Sequence, residues 1–245
     1  MTNNGPRGAA IVIGAGDATG GAIAAAFARD GLVAVPVRRT AEALEPLAAR
    51  IRAEGGQCLP IGADARDENQ IAALFDRVEA EIGPVEVAVF NIGANSPMGI
   101  REETSRRYRK IWELCALGGF LTARAAAQCM VPRGRGTILF TGATASVRGG
   151  AGFAAFAGGK HALRALAQSC ARELGPQGIH VAHIVIDGAI DTDFIRTRFP
   201  ERYALKAEDG ILDPEAIAAT YVMLHDQPRS AWTHEIDLRP WQEQF

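Results

Sequence analysis

Near the start of the chain, Gly14-Ala15-Gly16-Asp17-Ala18-Thr19-Gly20-Gly21 carries four glycines between a short apolar run and the alanine-rich stretch Ala22–Arg29. Glycine accepts positive φ and lets main-chain N–H groups approach a pyrophosphate, whose charge is then held at a helix N-terminus. A plain turn would use glycines too. Their place between the first strand and the first helix of an alternating chain is what selects dinucleotide binding. Further on, Arg38-Arg39 offers an adjacent pair of guanidinium groups. Each charge-assisted bond to a phosphate is worth about 1.5–3 kcal/mol. The four cysteines, Cys58, Cys115, Cys129 and Cys170, are widely spaced and form no C-x-x-C pair. They predict reduced thiols, with neither a disulfide framework nor a metal centre.

Short β-like runs alternate with longer helical stretches along the whole chain. Ala9–Ile13, Leu32–Val37, Gln57–Ile61, Val85–Phe90, Gly136–Phe140, Ile179–Ile186 and Ile236–Leu238 read as strands. Several are nearly continuous apolar runs, as parallel strands buried on both faces require. Helices are expected over 19–30, 41–54, 67–82, 104–132, 152–174 and 213–226, with glycines such as Gly31, Gly55-Gly56 and Gly175 at their ends. The pattern predicts an α/β fold: one Rossmann-like, doubly wound parallel sheet with helices on both faces, spanning 1–245 as a single domain. Ile190–Leu212 has mixed charge and no clean period, and reads as a long loop or lid. The charges, 26 Lys+Arg against 28 Asp+Glu, nearly cancel, which argues against nucleic acid or a membrane surface as partner. The apolar runs at 9–13 and 85–90 fall short of the roughly 18 residues that span a bilayer. Met1–Gly8 is polar without an apolar signal core, so the expected location is cytoplasmic.

The spacing Gly14-x-x-x-Ala18-x-Gly20 resembles the glycine turn of the short-chain dehydrogenase/reductase superfamily, with Ala18 in place of its middle glycine. Other matches run through most of the chain. Asp64, in Asp64-Ala65, looks like the family's adenine-contacting Asp, and Phe90-Asn91-Ile92-Gly93 resembles its N-N-A-G element. Phe156-Ala157-Gly158-Gly159-Lys160 falls where its Y-x-x-x-K motif belongs, and Asp187-Gly188-Ala189-Ile190-Asp191-Thr192 resembles its cofactor loop. The resemblance implies a nicotinamide cofactor held by Gly14, Gly16, Asp17, Ala18, Thr19, Gly20, Arg38, Arg39, Asp64, Ala65, Asn91, Gly93, Lys160, Gly188, Ile190 and Thr192. In this family the end of the second strand selects the cofactor, and Arg38-Arg39 there favours the 2′-phosphate of NADP(H). Asp17 opposes that phosphate unless it pairs with an arginine, so NAD(H) is the alternative.

The same resemblance implies a Tyr, a Ser and an Asn around the lysine. Lys160 is retained, but Phe156 stands at the Tyr position, Ala143 at the Ser position and Cys115 at the Asn position. Thr144, Ser146, Tyr203 and Asp187 are weighed as replacements, with Asp187 the least implausible acid or base and a turn-capping Asp its plainer reading. The chain is therefore expected to be an NADP(H)-dependent oxidoreductase with a divergent site, acting on a small carbonyl, alkene or imine. The alternative is a non-catalytic dinucleotide-binding protein, a cofactor sensor or partner subunit. The family also implies a homo-oligomer, a dimer or tetramer paired through 104–132 and 152–174. Trp232, Trp241 and Phe245 suggest a docked C-terminal tail.

Overall fold

The computed structural model describes residues 8–243. Met1–Arg7 and Gln244–Phe245 lie outside the described residues, and with them the expectations for the first residues and for Phe245. Strands β1 (Ala9–Ile13), β2 (Val33–Arg38), β3 (Ile61–Gly62), β4 (Val85–Phe90), β5 (Gly136–Thr141), β6 (Ile179–Ile186) and β7 (Glu235–Leu238) form one sheet in the order β3-β2-β1-β4-β5-β6-β7. Every pairing is parallel. The helices are α1 (Thr19–Arg29), α2 (Glu45–Ala53), α3 (Glu68–Glu81), α4 (Ser105–Trp112), α5 (Gly118–Met130), α6 (Ala154–Leu174), α7 (Asp193–Arg198), α8 (Pro200–Ala204) and α9 (Pro214–His225). The strand order reverses between β1 and β4, which opens a crevice at the carboxyl ends of those strands.

Alternation along each strand feeds two separate cores. Ile11, Ile13, Ala88, Phe90, Ile138 and Phe140 face one layer, which holds Leu74 and Phe75 of α3, Leu121 of α5 and Leu163 of α6. Ala10, Val12, Val87, Val89 and Leu139 face the other, with Ile23 and Phe27 of α1, Ile51 of α2 and Tyr221 of α9. The period of two in side-chain direction produces this division.

Three expectations change. The third strand shortens to Ile61–Gly62, with a single bridge from Ala34 to Cys58 before it. Pro60 lacks the N–H that would continue the ladder. The helix expected over 104–132 is continuous to Arg133 but contains a π-turn, Glu113–Leu117, between α4 and α5. That run is also long and apolar enough by composition to cross a membrane, which the short apolar stretches had not suggested; 56% of its most apolar window is buried. Finally, the segment 190–212 is not an irregular loop. It holds α7, α8 and a 3₁₀ turn, and is closed at its base by a bridge from Ile190 to Leu212.

The tail docks on that segment. Trp241 donates its indole N–H to the Glu208 carbonyl at 2.9 Å. Trp232 belongs elsewhere, stacked on the His180 ring at 4.9 Å with its indole on the Gln227 carbonyl.

Candidate active site

The glycine turn folds tightly over the end of β1. Gly14 has φ +90, and the N–H groups of Gly14 and Ala15 both donate to the Val37 carbonyl, at 2.9 and 3.1 Å. A Cβ at Gly20 would strike the Gly14 carbonyl and lie 2.8 Å from both Ala15 Cα and Asn91 Nδ2. Asn91 clamps the turn by donating its side-chain N–H to the Gly14 carbonyl at 3.1 Å. Helix α1 then starts at Ala18 with no side-chain cap and no acid in its first turn. Its first N–H groups and its dipole are therefore available to an anion.

Gly14, Gly16, Arg38, Arg39, Asp64, Ala65, Asn91 and Gly93 line a cavity of about 550 Å³. Arg38 reaches only the Ala43 carbonyl, at 3.4 Å. Arg39 is exposed, and Asp17, also exposed, pairs with neither arginine. Arg66 grips the Asp64 carboxylate with Nε at 3.0 Å and a terminal nitrogen at 2.6 Å. That contact holds the Asp64 pKa down at about 2.

A second cavity, of about 730 Å³, shares Asn91, Ile92 and Gly93 with the first and extends to Thr19, Ala143, Thr144, Phe156, Lys160, Gly188 and Ile190. Lys160 is buried at its floor, where Nζ donates to the carbonyls of Ile92 at 2.9 Å and Thr141 at 2.7 Å. Burial lowers its pKa to about 8. The Phe156 ring lies beside it, its centroid 5.9 Å from Nζ. Ala143 lines the same cavity, and its N–H donates to Ser146 Oγ at 3.1 Å. Thr144 donates its hydroxyl to Asp187 Oδ1, and Arg239 stands 3.4 Å from the other Asp187 oxygen. Asp187 is thus neither a free acid nor a turn cap: its carboxylate is held by side chains from two other loops.

Not every expected residue borders these cavities. Asp17, Ala18 and Gly20 shape the turn behind them, and Thr192 caps α7 by accepting from the Ile195 N–H at 3.1 Å. Cys115 is fully buried in a small apolar cluster with Ile111, Phe156 and Ala157, and burial raises its thiol pKa. Tyr203 does not line the second cavity and carries Lys206 over its ring. Two features were missed in the sequence. One is Arg148 in the cavity wall, which no local pattern marks. The other is a half-buried chain from Arg164 of α6 through Glu235, at 2.6 and 2.7 Å, to the buried His183 Nδ1 at 2.9 Å.

His183 is fully buried, and burial pushes its pKa down to about 4. An unfolded histidine titrates near 6.5. Between about pH 6.5 and 4 the unfolded chain binds a proton that the folded one refuses, so stability falls as pH falls through that window. At pH 5 the loss is about 2 kcal/mol from this group. Thermal melts at pH 7 and 5 should therefore show a smaller acid shift for His183→Gln than for the unmodified chain. An equal shift would mean that His183 is protonated in the folded state.

Residues 8–202 match the family model described as short chain dehydrogenase. The chain belongs to the short-chain dehydrogenase family. Family members are oxidoreductases that bind NAD(P). The 1-deoxy-11-beta-hydroxypentalenate dehydrogenase of Streptomyces exfoliatus is 32% identical over 191 residues, covering 77% of this chain and 69% of that one. The cis-4-hydroxycyclohexanecarboxylate dehydrogenase of Sinomonas cyclohexanicum is 30% identical, covering 76% and 74%. The crystal structure of a short-chain dehydrogenase from Rhodopseudomonas palustris superposes with a TM-score of 0.82 at 43% identity, covering 96% of this chain and 100% of the other.

Proposed function

We propose that this chain is an NADP(H)-dependent oxidoreductase with a divergent site, acting on a small carbonyl, alkene or imine-type substrate. The observation that carries the reading is the buried Lys160 ammonium flanked by Phe156 and Ala143 in one cavity, with no phenol beside it. When bound, the nicotinamide supplies the hydride. The chain supplies position: the α1 N-terminus takes the pyrophosphate, Asn91 fixes the turn, and Lys160 holds charge at the floor. The Thr144 hydroxyl has one proton, and it is committed to Asp187. Toward the cavity its oxygen accepts rather than donates. A positioned general acid is worth about 10²–10⁴-fold. Without one, hydride transfer is best suited to substrates already activated, such as an enone or an iminium.

The test is cofactor oxidation across matched ketones, enones and imines, expected to be fastest on the activated members. A second reading, a non-catalytic dinucleotide-binding protein, is supported by the engagement of Lys160 with two main-chain carbonyls, which gives it a structural duty. Tight NADPH binding without turnover on any substrate would select it.

The preference for NADP(H) rests on Arg38 and Arg39, neither of which has an ion-pair partner among the described residues. Replacing both with Ala should cut the NADPH-over-NADH affinity ratio at least tenfold, the equivalent of one bond of about 1.4 kcal/mol. Equal affinities in the unmodified protein would place Asp17 in control. The reading includes a homo-oligomer paired through α4, α5 and α6, supported by Tyr108, Trp112 and Phe120, which remain 42%, 40% and 42% exposed on their outer faces.

A further inference from the structure

We propose that Arg148 anchors a carboxylate on the substrate, so that the chain acts on apolar organic acids rather than on neutral compounds of the same shape. The inference rests on the reading that the second cavity receives substrate.

Arg148 follows the 3₁₀ turn Thr144–Ser146 that leaves β5. Its main-chain N–H is fixed on the Thr144 carbonyl at 3.1 Å, so the position of its Cα is set by the floor of the cavity. The side chain lines the cavity wall, yet the guanidinium makes no hydrogen bond or ion pair with any described residue. Arg164 and Arg66 differ, each held by both oxygens of one carboxylate, Glu235 and Asp64 respectively. An unpaired planar fork at the edge of a concave site matches a carboxylate, which it can bind through two parallel bonds.

The rest of the lining selects the same class of ligand. No aspartate or glutamate is among the lining residues. Asp187, beneath Thr144, has its oxygens turned to Thr144 and Arg239. The other cation, Lys160, already spends two of its three N–H groups on the carbonyls of Ile92 and Thr141. The same lining includes the apolar side chains of Ile92, Phe153, Phe156, Ile186 and Ile190. Lys160 is buried and Arg148 exposed, so a bound molecule has a polar mouth and a deep end beside the lysine. At about 730 Å³, part of it for the nicotinamide, the space suits a compact ring or short chain carrying one acid group.

The test is calorimetric titration of the protein, with and without NADP⁺, using cyclohexanecarboxylate and its neutral counterpart cyclohexanecarboxamide. The acid should bind at least tenfold more tightly than the amide, and the preference should shrink as salt is raised. Arg148→Ala should remove the preference, and Arg148→Lys should keep part of it, since a point charge lacks the fork. Arg148 is exposed and pairs with nothing, so neither change endangers folding. Equal binding of the two probes, binding of neither at millimolar concentration, or an unchanged preference in Arg148→Ala would each overturn the proposal. The readout is binding, which separates it from the hydride chemistry. A chain that prefers the acid but oxidises no NADPH would sink the oxidoreductase reading and leave the anchor standing. Turnover of neutral ketones with no acid preference would do the reverse.

Discussion

The double replacement Phe156→Tyr, Ala143→Ser is expected to raise NADPH-dependent reduction of simple ketones by about 10²-fold, the low end for one positioned acid. The Phe156 ring already lies beside Lys160, its centroid 5.9 Å from the ammonium, so a para hydroxyl would enter a site shaped for a six-membered ring. A nearby ammonium favours the phenolate and lowers the new tyrosine's pKa toward working pH. The serine alone should do little, because polarising a carbonyl without a nearby acid leaves the alkoxide unprotonated. Cys115 stays buried and apolar where the family resemblance expects an amide, so the rescue should be partial. The gain should also fade as pH rises past about 8, where Lys160 loses its charge. Steady-state rates on cyclic ketones would check this. Ordinary ketone turnover by the unmodified chain would show that another residue supplies the proton. A double variant that folds and binds NADPH but gains nothing would favour the non-catalytic reading.

Gly20→Ala should abolish measurable NADPH binding and lower stability by about 3 kcal/mol, the upper part of the range for forcing atoms into a filled site. The added methyl would run into the Gly14 carbonyl, Ala15 Cα and the Asn91 amide, and two of those three obstacles are main chain. Main chain cannot swing aside as a side chain can. Relief would have to come from moving α1 away from the turn, which misplaces the helix N-terminus. At roughly 2–4 °C per kcal/mol for a chain of this size, the melting temperature should fall by about 6–12 °C. Gly175→Ala is the control, since a Cβ there meets nothing within 4 Å and the position lines neither cavity. If both variants bind NADPH alike, close packing at Gly20 is not what positions the cradle.

How much of this could be read from the sequence depended on whether a feature was local. The bounds of β1, β4 and β6 agree with their apolar runs because every position in them is buried, leaving no ambiguity of face. The third strand is shorter than its apolar residues suggest, because Cys58 and Leu59 look strand-like while Pro60 interrupts the ladder. The helical content of 104–132 was plain, but the π-turn inside it was not. It lies immediately before Gly118 and Gly119, where a Cβ would press on Phe90 and Leu163, so its register is set by docking and not by propensity. In the site, the glycine turn and Lys160 stood out by position in the chain. The pairing of Thr144 with Asp187 did not, because it joins residues 43 apart on loops after β5 and β6. Composition likewise grouped Trp232 with Trp241, which the fold sends to different neighbours.

The division of the strands into two cores has a consequence for how such a chain can diversify. The helix that opens at the glycine turn is packed in one core, and the helix that carries Lys160 leans on the other. Ile11 and Val12 are neighbours in the chain but belong to opposite layers. Substitutions more than about 7–10 Å apart with no shared partners usually add. Both layers nevertheless reach both cavities: Ile13, Val37, Ala63 and Ala65 of one core line the first, and Ile186 and Ile190 of the other line the second. Libraries aimed at new substrates therefore have to sample both sides of the sheet, holding fixed the cradle residues that one of those sides supplies.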